Sequence, residues 1–271
     1  MKKKIFAVAD IHGHYSILKK SLDEAGYNEN NPNHLLIVLG DHFDRGEESL
    51  SVYEYLKRLS DENKAIVLKG NHDNMFIDYL MGTKISPFDY FHNGENATFA
   101  EFLHQTRPFE TWCLLYNNIE EPTTQDFANW LSEAREEIND EYPELLEWMK
   151  NMPYYYETSN YIFTHASIDT AVSDWHSPHC YNGKYTDWDA LLWDDGSFFG
   201  KYLTNTNKKV VIGHFGTDHL RRKYNYRSES EEDDFSILTR EDGRVIAIDA
   251  TTVYSKKINV LVIESEDLID E

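Results

Sequence analysis

Apolar runs alternate with amphipathic stretches through the first seventy residues. The runs at 4–9, 35–39 and 65–68 are bounded by turn residues and predict buried strands. The stretches between them carry apolar side chains at helical spacing, and Gly26 marks a C-terminal stop for the first helix. Strands that alternate with helices in this way form βαβ units and a parallel sheet. The loops that follow the strands are therefore expected to meet at one edge.

The pattern changes between about residues 75 and 155. Three stretches there have helical periodicity and carry Trp, Phe and Leu on one face. They are ATFAEFLHQT, TTQDFANWLSEAREEI and YPELLEWMKNM. We expect this segment to be a helical insertion that packs beside the site. The chain length of 271 residues suits one large core, so we predict a single α/β domain over residues 1–271.

Short strands return after residue 160. They have the sequences YIFTH, VVIGH, DFSILT, RVIAIDAT and INVLVIE. Asp242 and Gly243 lie between two of these strands and are typical of a hairpin turn. This part of the chain therefore predicts a second, more antiparallel sheet. The segment 221–234, which includes an acidic run near 228–234, is expected to be an exposed loop, with a gate over the cleft as the alternative.

Composition limits the partners of the protein. The formal net charge is −22, and a surface so negative repels DNA and RNA, so no nucleic acid partner is expected. Acidic residues predominate between 117 and 150, which favours a solvated negative helix face over the alternative of a docking surface. No stretch has the length and apolarity needed to cross a bilayer, so no membrane partner is expected. Cys113 and Cys180 form no CxxC motif, and a reduced, cytoplasmic location is the simplest expectation.

Five of the predicted strands run directly into side chains that bind metals or phosphate. The five stretches are KIFAVADIHGH, LLIVLGDHFDRG, AIVLKGNHD, YIFTHAS and VVIGH. In the first, Asp10 and His12 occupy alternating positions at a strand end, face the same way and can bind one ion. In the second, Asp41 can bind a metal, and the planar fork of Arg45 can hold two oxygens of a phosphate.

Together these motifs resemble those of the calcineurin-like metallophosphoesterases, and within them the phosphoprotein phosphatase branch. The resemblance covers residues 4–214 in the right order, and GDxxDRG with GNHD is its most specific part. It implies two packed mixed β-sheets flanked by helices, a four-layer fold. Many other metallophosphoesterases have a second His in a GHxH motif, where this chain has Gly216, and this difference favours the phosphoprotein phosphatase branch.

The resemblance also implies a centre with two divalent metal ions. The matching positions are Asp10 and His12 for the first ion, Asp41 as the bridge, and Asn71, His165 and His214 for the second. Nitrogen and oxygen donors without thiolate suit Mn, Fe, Zn or Co, and Mn is our preferred expectation.

The catalytic roles follow from the same resemblance. A hydroxide that bridges the two ions would attack the phosphorus directly. His72 matches the general acid that protonates the leaving oxygen, and Asp44 matches the residue that holds its other ring nitrogen. Arg45 would hold the nonbridging oxygens, and Asn71 and His72 would also contact the substrate.

One expected feature is missing from the sequence. The branch usually has a further phosphate-binding Arg between the third and fourth His motifs, but the segment from His165 to His214 contains none. Arg221 and Arg222 follow closely in the sequence, yet nothing assigns either of them to this role. This difference leaves the substrate class open.

The sequence thus predicts a phosphatase that hydrolyses phosphomonoesters, either small phosphoesters or, as the leading class, serine or threonine phosphoproteins. One alternative is a symmetrical diadenosine tetraphosphate hydrolase. Those enzymes typically have RGP in the second motif, whereas Glu47 and Glu48 follow Gly46 here. Another alternative is a regulatory module that binds metal without turnover. The native substrate, the oligomeric state and the role of the insertion stay open.

Overall fold

The computed structural model describes residues 4–113, 117, 119–168, 191–203, 206–227 and 232–264. The strands are β1 (Lys4–Val8), β2 (His34–Val38), β3 (Ala65–Val67), β4 (Tyr155–Glu157), β5 (Tyr161–Thr164), β6 (Lys209–Ile212), β7 (Leu238–Thr239), β8 (Val245–Ala247) and β9 (Leu261–Glu264). The helices are α1 (Tyr15–Glu24), α2 (Ser49–Asp61), α3 (Asn71–Met81), α4 (Pro87–His92), α5 (Glu95–Phe102), α6 (Pro108–Thr111), α7 (Thr124–Glu141), α8 (Leu145–Lys150), α9 (Thr217–Lys223) and α10 (Thr252–Ser255). Cys180 and residues 228–231 of the predicted acidic loop lie outside the described residues.

The first sheet has the strand order β3-β2-β1-β9. Its first three strands are parallel, as the sequence predicted, because α1 and α2 cross over between them. The fourth strand corrects a prediction: β9 pairs antiparallel with β1 instead of joining the second sheet. This pairing covers the open edge of β1, and it is closed by an ion pair of 2.8 Å between Lys4 Nζ and Glu264 Oε1.

The second sheet has the order β4-β5-β6-β8-β7. Its central strands β5, β6 and β8 are parallel to one another, and only β4 and β7 at the edges are antiparallel. The expectation of a more antiparallel sheet is therefore correct only at its margins. Three neighbouring strands with their carboxyl ends together provide a second edge at which side chains can meet.

The two sheets pack face to face. Successive side chains of each strand point to opposite faces of its sheet, so one set lies between the sheets and the other faces the helices. Ile5 and Ala7 of β1 lie in the core between the sheets, together with Phe163 and Val211. Phe6, in contrast, lies in the core on the other side of the first sheet, together with residues of the helices. The predicted arrangement of two mixed sheets flanked by helices is thus confirmed.

Helices α3 to α8 form the segment predicted as a helical insertion. Buried aromatic rings hold it together, among them Phe76, Tyr90, Phe99 and Trp130, whose edge-to-face and tilted contacts lie at 5.3 to 5.6 Å. The sequence patterns predicted α5, α7 and α8 but not α3, α4 and α6. No helix in the described part of the chain has both the length and the apolarity to span a membrane.

The prediction of an exposed loop starting at residue 221 is wrong for its first residues. Arg221 lies in α9, is 9% exposed, and forms an ion pair of 2.9 Å with Asp234. Arg222 pairs with Asp218 and with Asp233. The two arginines therefore join the start of the segment 221–234 to its end. Neither of them lines the cleft described below.

Candidate metal centre and cleft

The metal-binding side chains predicted from sequence follow the ends of parallel strands in both sheets. Asp10 follows β1 and Asp41 follows β2, while His165 and His214 follow β5 and β6. The backbone turns sharply after three of these strands, since φ is 54° at Asp10, 54° at Asp41 and 64° at His214. Residues other than glycine rarely adopt such positive φ values, because this backbone conformation costs about 1 to 3 kcal/mol of strain at each residue. Strain of this kind is typical of functional loops.

The residues predicted to hold the second ion meet at one point through ring nitrogens and an amide oxygen. Nδ1 of His165 donates to the carbonyl oxygen of Leu39 at 2.7 Å, which leaves its Nε2 with a lone pair. This Nε2 lies 2.8 Å from Oδ1 of Asn71 and 3.2 Å from Nδ1 of His214. Burial lowers the pKa of both histidines to about 4, so they are neutral near pH 7. Neutral imidazoles beside a carbonyl oxygen make a donor set that fits a divalent ion.

Asp41 lies between two clusters of donors. Its Oδ1 is 3.4 Å from Nε2 of His165, and its Oδ2 is 3.6 Å from Nε2 of His12. His12 is held by a hydrogen bond of 2.9 Å from Nδ1 to the carbonyl oxygen of Phe43. Burial, and then the charge of Arg45, lowers the pKa of His12 well below its usual value. The position of Asp41 fits a carboxylate that is shared by two ions.

Asp10 lies at the same edge but belongs to neither cluster. One cluster comprises His12, Asp41 and His72, and the other comprises Asp41, His165 and His214. The carboxylate of Asp10 accepts the backbone N–H of His214 with both oxygens, at 2.9 and 3.1 Å. Asp10 thus ties the first sheet to the second and faces the same cleft.

Arg45 and His72 form the part of the site that the sequence assigned to catalysis. Arg45 donates from Nη1 to Nε2 of His12 at 2.8 Å and from Nη2 to Nε2 of His72 at 2.7 Å. On the opposite side of the ring, Nδ1 of His72 faces Oδ2 of Asp44 at 2.7 Å. Thr98 donates to the other carboxyl oxygen of Asp44 at 2.6 Å. Burial raises the pKa of Asp44 to about 8 and lowers the pKa of His72.

Close packing against Gly94 positions Arg45. Gly94 has φ of 93°, and its carbonyl oxygen accepts the N–H of Arg45 at 3.1 Å. A Cβ atom at Gly94 would lie 2.8 Å from Cγ of Arg45, which is too close for a side chain. This loop therefore needs glycine, because the left-handed backbone and the close approach both exclude larger residues.

Asp73 holds the second and third motif loops together. Its carboxylate accepts the backbone N–H of Gly70 at 2.8 Å, of Asp41 at 2.9 Å and of His42 at 3.1 Å. Nδ1 of His42 lies 2.8 Å from Oδ1 of Asp73, and both side chains are fully buried. Although burial acts in the opposite direction, the His42 side chain and the amides of Gly70 and His42 lower the pKa of Asp73 to about 2. Asp73 and His42 thus fix the backbone that presents Asp41 and Asn71.

An open cleft of about 510 Å³ gives access to the site. Seven predicted site residues line it, namely Asp10, His12, Asp41, Arg45, Asn71, His72 and His214. His165 and Asp44 lie directly behind them, in contact with Asn71 and His72 respectively. At the rim Trp193 is 52% exposed and Tyr254 is 78% exposed. Large exposed aromatic side chains beside a site can contact the substrate outside its phosphate.

The cleft also contains a carboxylate that sequence reasoning missed. Asp249 lines it and is 5% exposed. Burial raises the pKa of Asp249 to about 6, and the negative charge of Asp41 adds to this effect. The signal was present in the sequence, because RVIAI runs into Asp249 as the other apolar strands run into their donors.

Comparisons with known proteins show which proteins the chain is similar to. The chain is 25% identical over 226 residues to serine/threonine-protein phosphatase 2 of Salmonella typhimurium, covering 80% of this chain and 82% of that protein. It is 33% identical over 115 residues to Shewanella-like protein phosphatase 1 of Plasmodium berghei, covering 37% of this chain and 31% of that protein. A shorter match, 39% over 69 residues, is to the symmetrical bis(5'-nucleosyl)-tetraphosphatase of Nitrosospira multiformis, covering 26% of this chain and 24% of that protein.

Solved structures share the fold at low identity. The structure of a putative diadenosine tetraphosphatase has a TM-score of 0.51 at 16% identity, covering 96% of this chain and 89% of that one. A serine/threonine phosphatase from Saccharomyces cerevisiae has a TM-score of 0.50 at 14% identity, covering 99% of this chain and 81% of that one. The family model described as calcineurin-like phosphoesterase matches residues 3–247. With nine-tenths of its length matched, the chain belongs to the calcineurin-like phosphoesterase family, as its motifs predicted.

Proposed function

We propose that this protein is a metal-dependent phosphatase with a dinuclear centre that hydrolyses phosphomonoesters, with phosphoserine and phosphothreonine side chains of proteins as the leading substrates. The observation that carries this proposal is the position of Arg45. Its guanidinium lies between Nε2 of His12 on the metal side and Nε2 of His72 on the acid side. A phosphoryl group bound to this fork would lie between the donor cluster and the general acid.

The proposed metal ligands are the residues predicted from the sequence. Asp10 and His12 would hold the first ion, Asn71, His165 and His214 the second, and Asp41 both, which the positions of its two oxygens support. Divalent ions bound there would neutralise phosphoryl oxygens and activate water. Nitrogen and oxygen donors suit Mn, Fe, Zn or Co, and Mn is the ion that we propose among these four. A cytoplasmic location is also proposed, on the absence of a CxxC motif.

The protein's own side chains have distinct roles in this proposal. Arg45 would bind two nonbridging oxygens of the phosphoryl group, because its two terminal nitrogens are donors and contact His12 and His72, which also line the cleft. His72 would donate a proton from Nε2 to the leaving oxygen, and Asp44 would hold its Nδ1–H. When Asp44 is ionised, its carboxylate at 2.7 Å from Nδ1 would stabilise the protonated ring of His72.

The charge of the cleft favours a substrate with one phosphoryl group. Among the described residues that line it, Arg45 is the one Arg or Lys, and Asp10, Asp41 and Asp249 are carboxylates. A dinucleoside tetraphosphate carries several negative charges, and this cleft would compensate them poorly even with two ions bound. The short local matches to tetraphosphatases keep that substrate as the second candidate.

Replacement of Arg45 by Lys tests the proposal. Lys keeps the positive charge but loses the planar fork, so we expect kcat/KM for a phosphoserine peptide to fall by about 10- to 100-fold. The matched control is Arg222→Lys, because Arg222 is outside the cleft and pairs with Asp218. Its kcat/KM should stay within about twofold of wild type. Equal effects of the two substitutions would contradict the proposed role of the fork.

A further inference from the structure

Three potential metal ligands follow the parallel strands of the second sheet, and two of them belong to the proposed ligand set. Its parallel strands β5, β6 and β8 are neighbours, and the residues after them are His165, His214 and Asp249. Ile248 continues the ladder beyond β8 by donating its N–H to Ile212 at 2.9 Å. Asp249 therefore emerges at the same edge as His214, one strand further along.

The surrounding loop fixes Asp249 and leaves part of its carboxylate available. Its backbone oxygen accepts the N–H of Thr217 at 2.9 Å, and its Oδ1 accepts the N–H of Thr251 at 2.6 Å. The described residues provide no ion pair to Asp249 and no hydrogen bond to its Oδ2. The side chain is 5% exposed, and the space that it faces is the cleft shared with Asp10 and His12.

The local charge is out of balance without bound cations. Asp10, Asp41 and Asp249 face one small cleft, and the guanidinium of Arg45 is already shared between two histidines. Buried carboxylates that lack cationic partners are costly, and a third one adds repulsion without stabilising the metal-free fold. A divalent ion on the Asp10 side of the cleft would remove this cost.

We propose that Asp249 belongs to the metal centre and presents its carboxylate to the ion that Asp10 and His12 hold. This inference rests on the proposed function, since it assigns a further residue to the same centre. A purely structural role predicts something different. In that case Asp249 would only hold the Thr251 turn through Oδ1, and an asparagine at the same position could do so with its amide oxygen.

The test compares Asp249→Asn with wild type in Mn²⁺ titrations followed by calorimetry and elemental analysis. We expect wild type to bind two Mn²⁺ per chain, and the variant to bind one of them about 10- to 100-fold more weakly. The control is Asp195→Asn, because Asp195 is exposed at 79%, pairs with Lys223 and does not line the cleft. It removes the same unit of charge and should leave both affinities unchanged.

Thermal unfolding of the same proteins provides a second readout. Without metal, Asp249→Asn should have a Tm equal to or above that of wild type, because one repulsive carboxylate is gone. With Mn²⁺, its Tm should rise less than that of wild type. Two Mn²⁺ bound at wild-type affinity would overturn the inference, as would a metal-free variant that is destabilised or unfolded. A wild-type protein that binds no Mn²⁺ would instead refute the proposed function itself.

Discussion

Nη2 of Arg45 donates to Nε2 of His72 across 2.7 Å. In this arrangement Nε2 of His72 is an acceptor, and the ring proton is on Nδ1 beside Asp44. A general acid needs a proton on Nε2. Burial and the positive charge of Arg45 both lower the pKa of His72 and so oppose this protonation. A bound phosphoryl group would attract Arg45 away from the ring and favour protonation. We therefore infer that substrate binding prepares His72 for its role as an acid.

The role of His72 predicts a dependence on the leaving group. In His72→Asn, hydrolysis of phosphoserine should slow by about 10²- to 10⁴-fold, because an alkoxide needs a proton as it departs. Hydrolysis of p-nitrophenyl phosphate should slow much less, because nitrophenolate is a stable leaving group. Steady-state rates on both substrates, with metal content measured in parallel, check this outcome. Equal losses on the two substrates would show that His72 does not act as the acid.

The position of Asp41 predicts which ligand matters most for metal content. Its oxygens face both His12 and His165, whereas Asp10 belongs to neither donor cluster. Asp41→Asn should therefore reduce bound metal and activity together, and by more than Asp10→Asn. Elemental analysis of dialysed protein provides the measurement. Full occupancy and normal turnover in Asp41→Asn would refute the bridging role.

A buried acid near Asp44 predicts a stability that depends on pH. Glu95 is fully buried, and burial followed by the charge of Asp44 raises its pKa to about 9. The folded protein thus keeps a proton on Glu95 that the unfolded chain releases near its usual pKa of 4.5. Stability is then lost as the pH rises from about 4.5 to 9, by up to about 1.4 kcal/mol per pH unit. Glu95→Gln removes this loss.

Urea unfolding at several pH values tests the Glu95 prediction. The stability advantage of Glu95→Gln over wild type should be small near pH 4 and should grow steadily towards pH 8. Glu136→Gln is the control, because Glu136 is exposed in the helix Thr124–Glu141 and should show no such trend. An advantage of Glu95→Gln that is constant with pH would contradict an ionisation effect.

The sequence predicted the parts of this fold in which one pattern dominates. The apolar runs that lead into Asp10, Asp41 and Asn71 indicated parallel strands, and strand ends of this kind converge by geometry alone. The motifs also selected the residues that meet at the cleft or directly behind it, including His214 and His165 from the second sheet. Their ligand and catalytic roles stay predictions until metal and activity are measured.

Other features depend on contacts that a sequence pattern does not encode. The strand Leu261–Glu264 reads like any other apolar strand, and its place beside β1 depends on which sheet edge is open. Arg221 lies in a charged segment, but its ion pair with Asp234 makes it a buried structural residue. Asp249 follows an apolar strand as the predicted donors do, but no familiar motif surrounds it, and its place beside His214 depends on the order of β6 and β8 in the sheet.

Net charge predicts how salt affects the choice of substrate. The described residues between 119 and 150 do not line the cleft, so the acidic helix face is not its wall, but the chain as a whole carries −22. Long-range attraction by the negative protein should therefore favour a phosphopeptide rich in Lys and Arg. Salt weakens this attraction, because the screening length is about 10 Å at 0.1 M. Its kcat/KM should fall as salt rises, while that of an anionic substrate should rise or stay flat. The opposite trends would place a positive potential at the cleft.

The most direct test of the account is a comparison of two substrates with the same Mn²⁺-loaded protein. Release of phosphate from a phosphoserine peptide and cleavage of diadenosine tetraphosphate would be measured at equal concentration and ionic strength. With Arg45 as the one Arg or Lys among the described cleft residues, we predict a kcat/KM at least about tenfold higher for the phosphopeptide. Faster cleavage of the dinucleotide would contradict the proposed substrate class, and turnover of neither would contradict the proposed phosphatase activity.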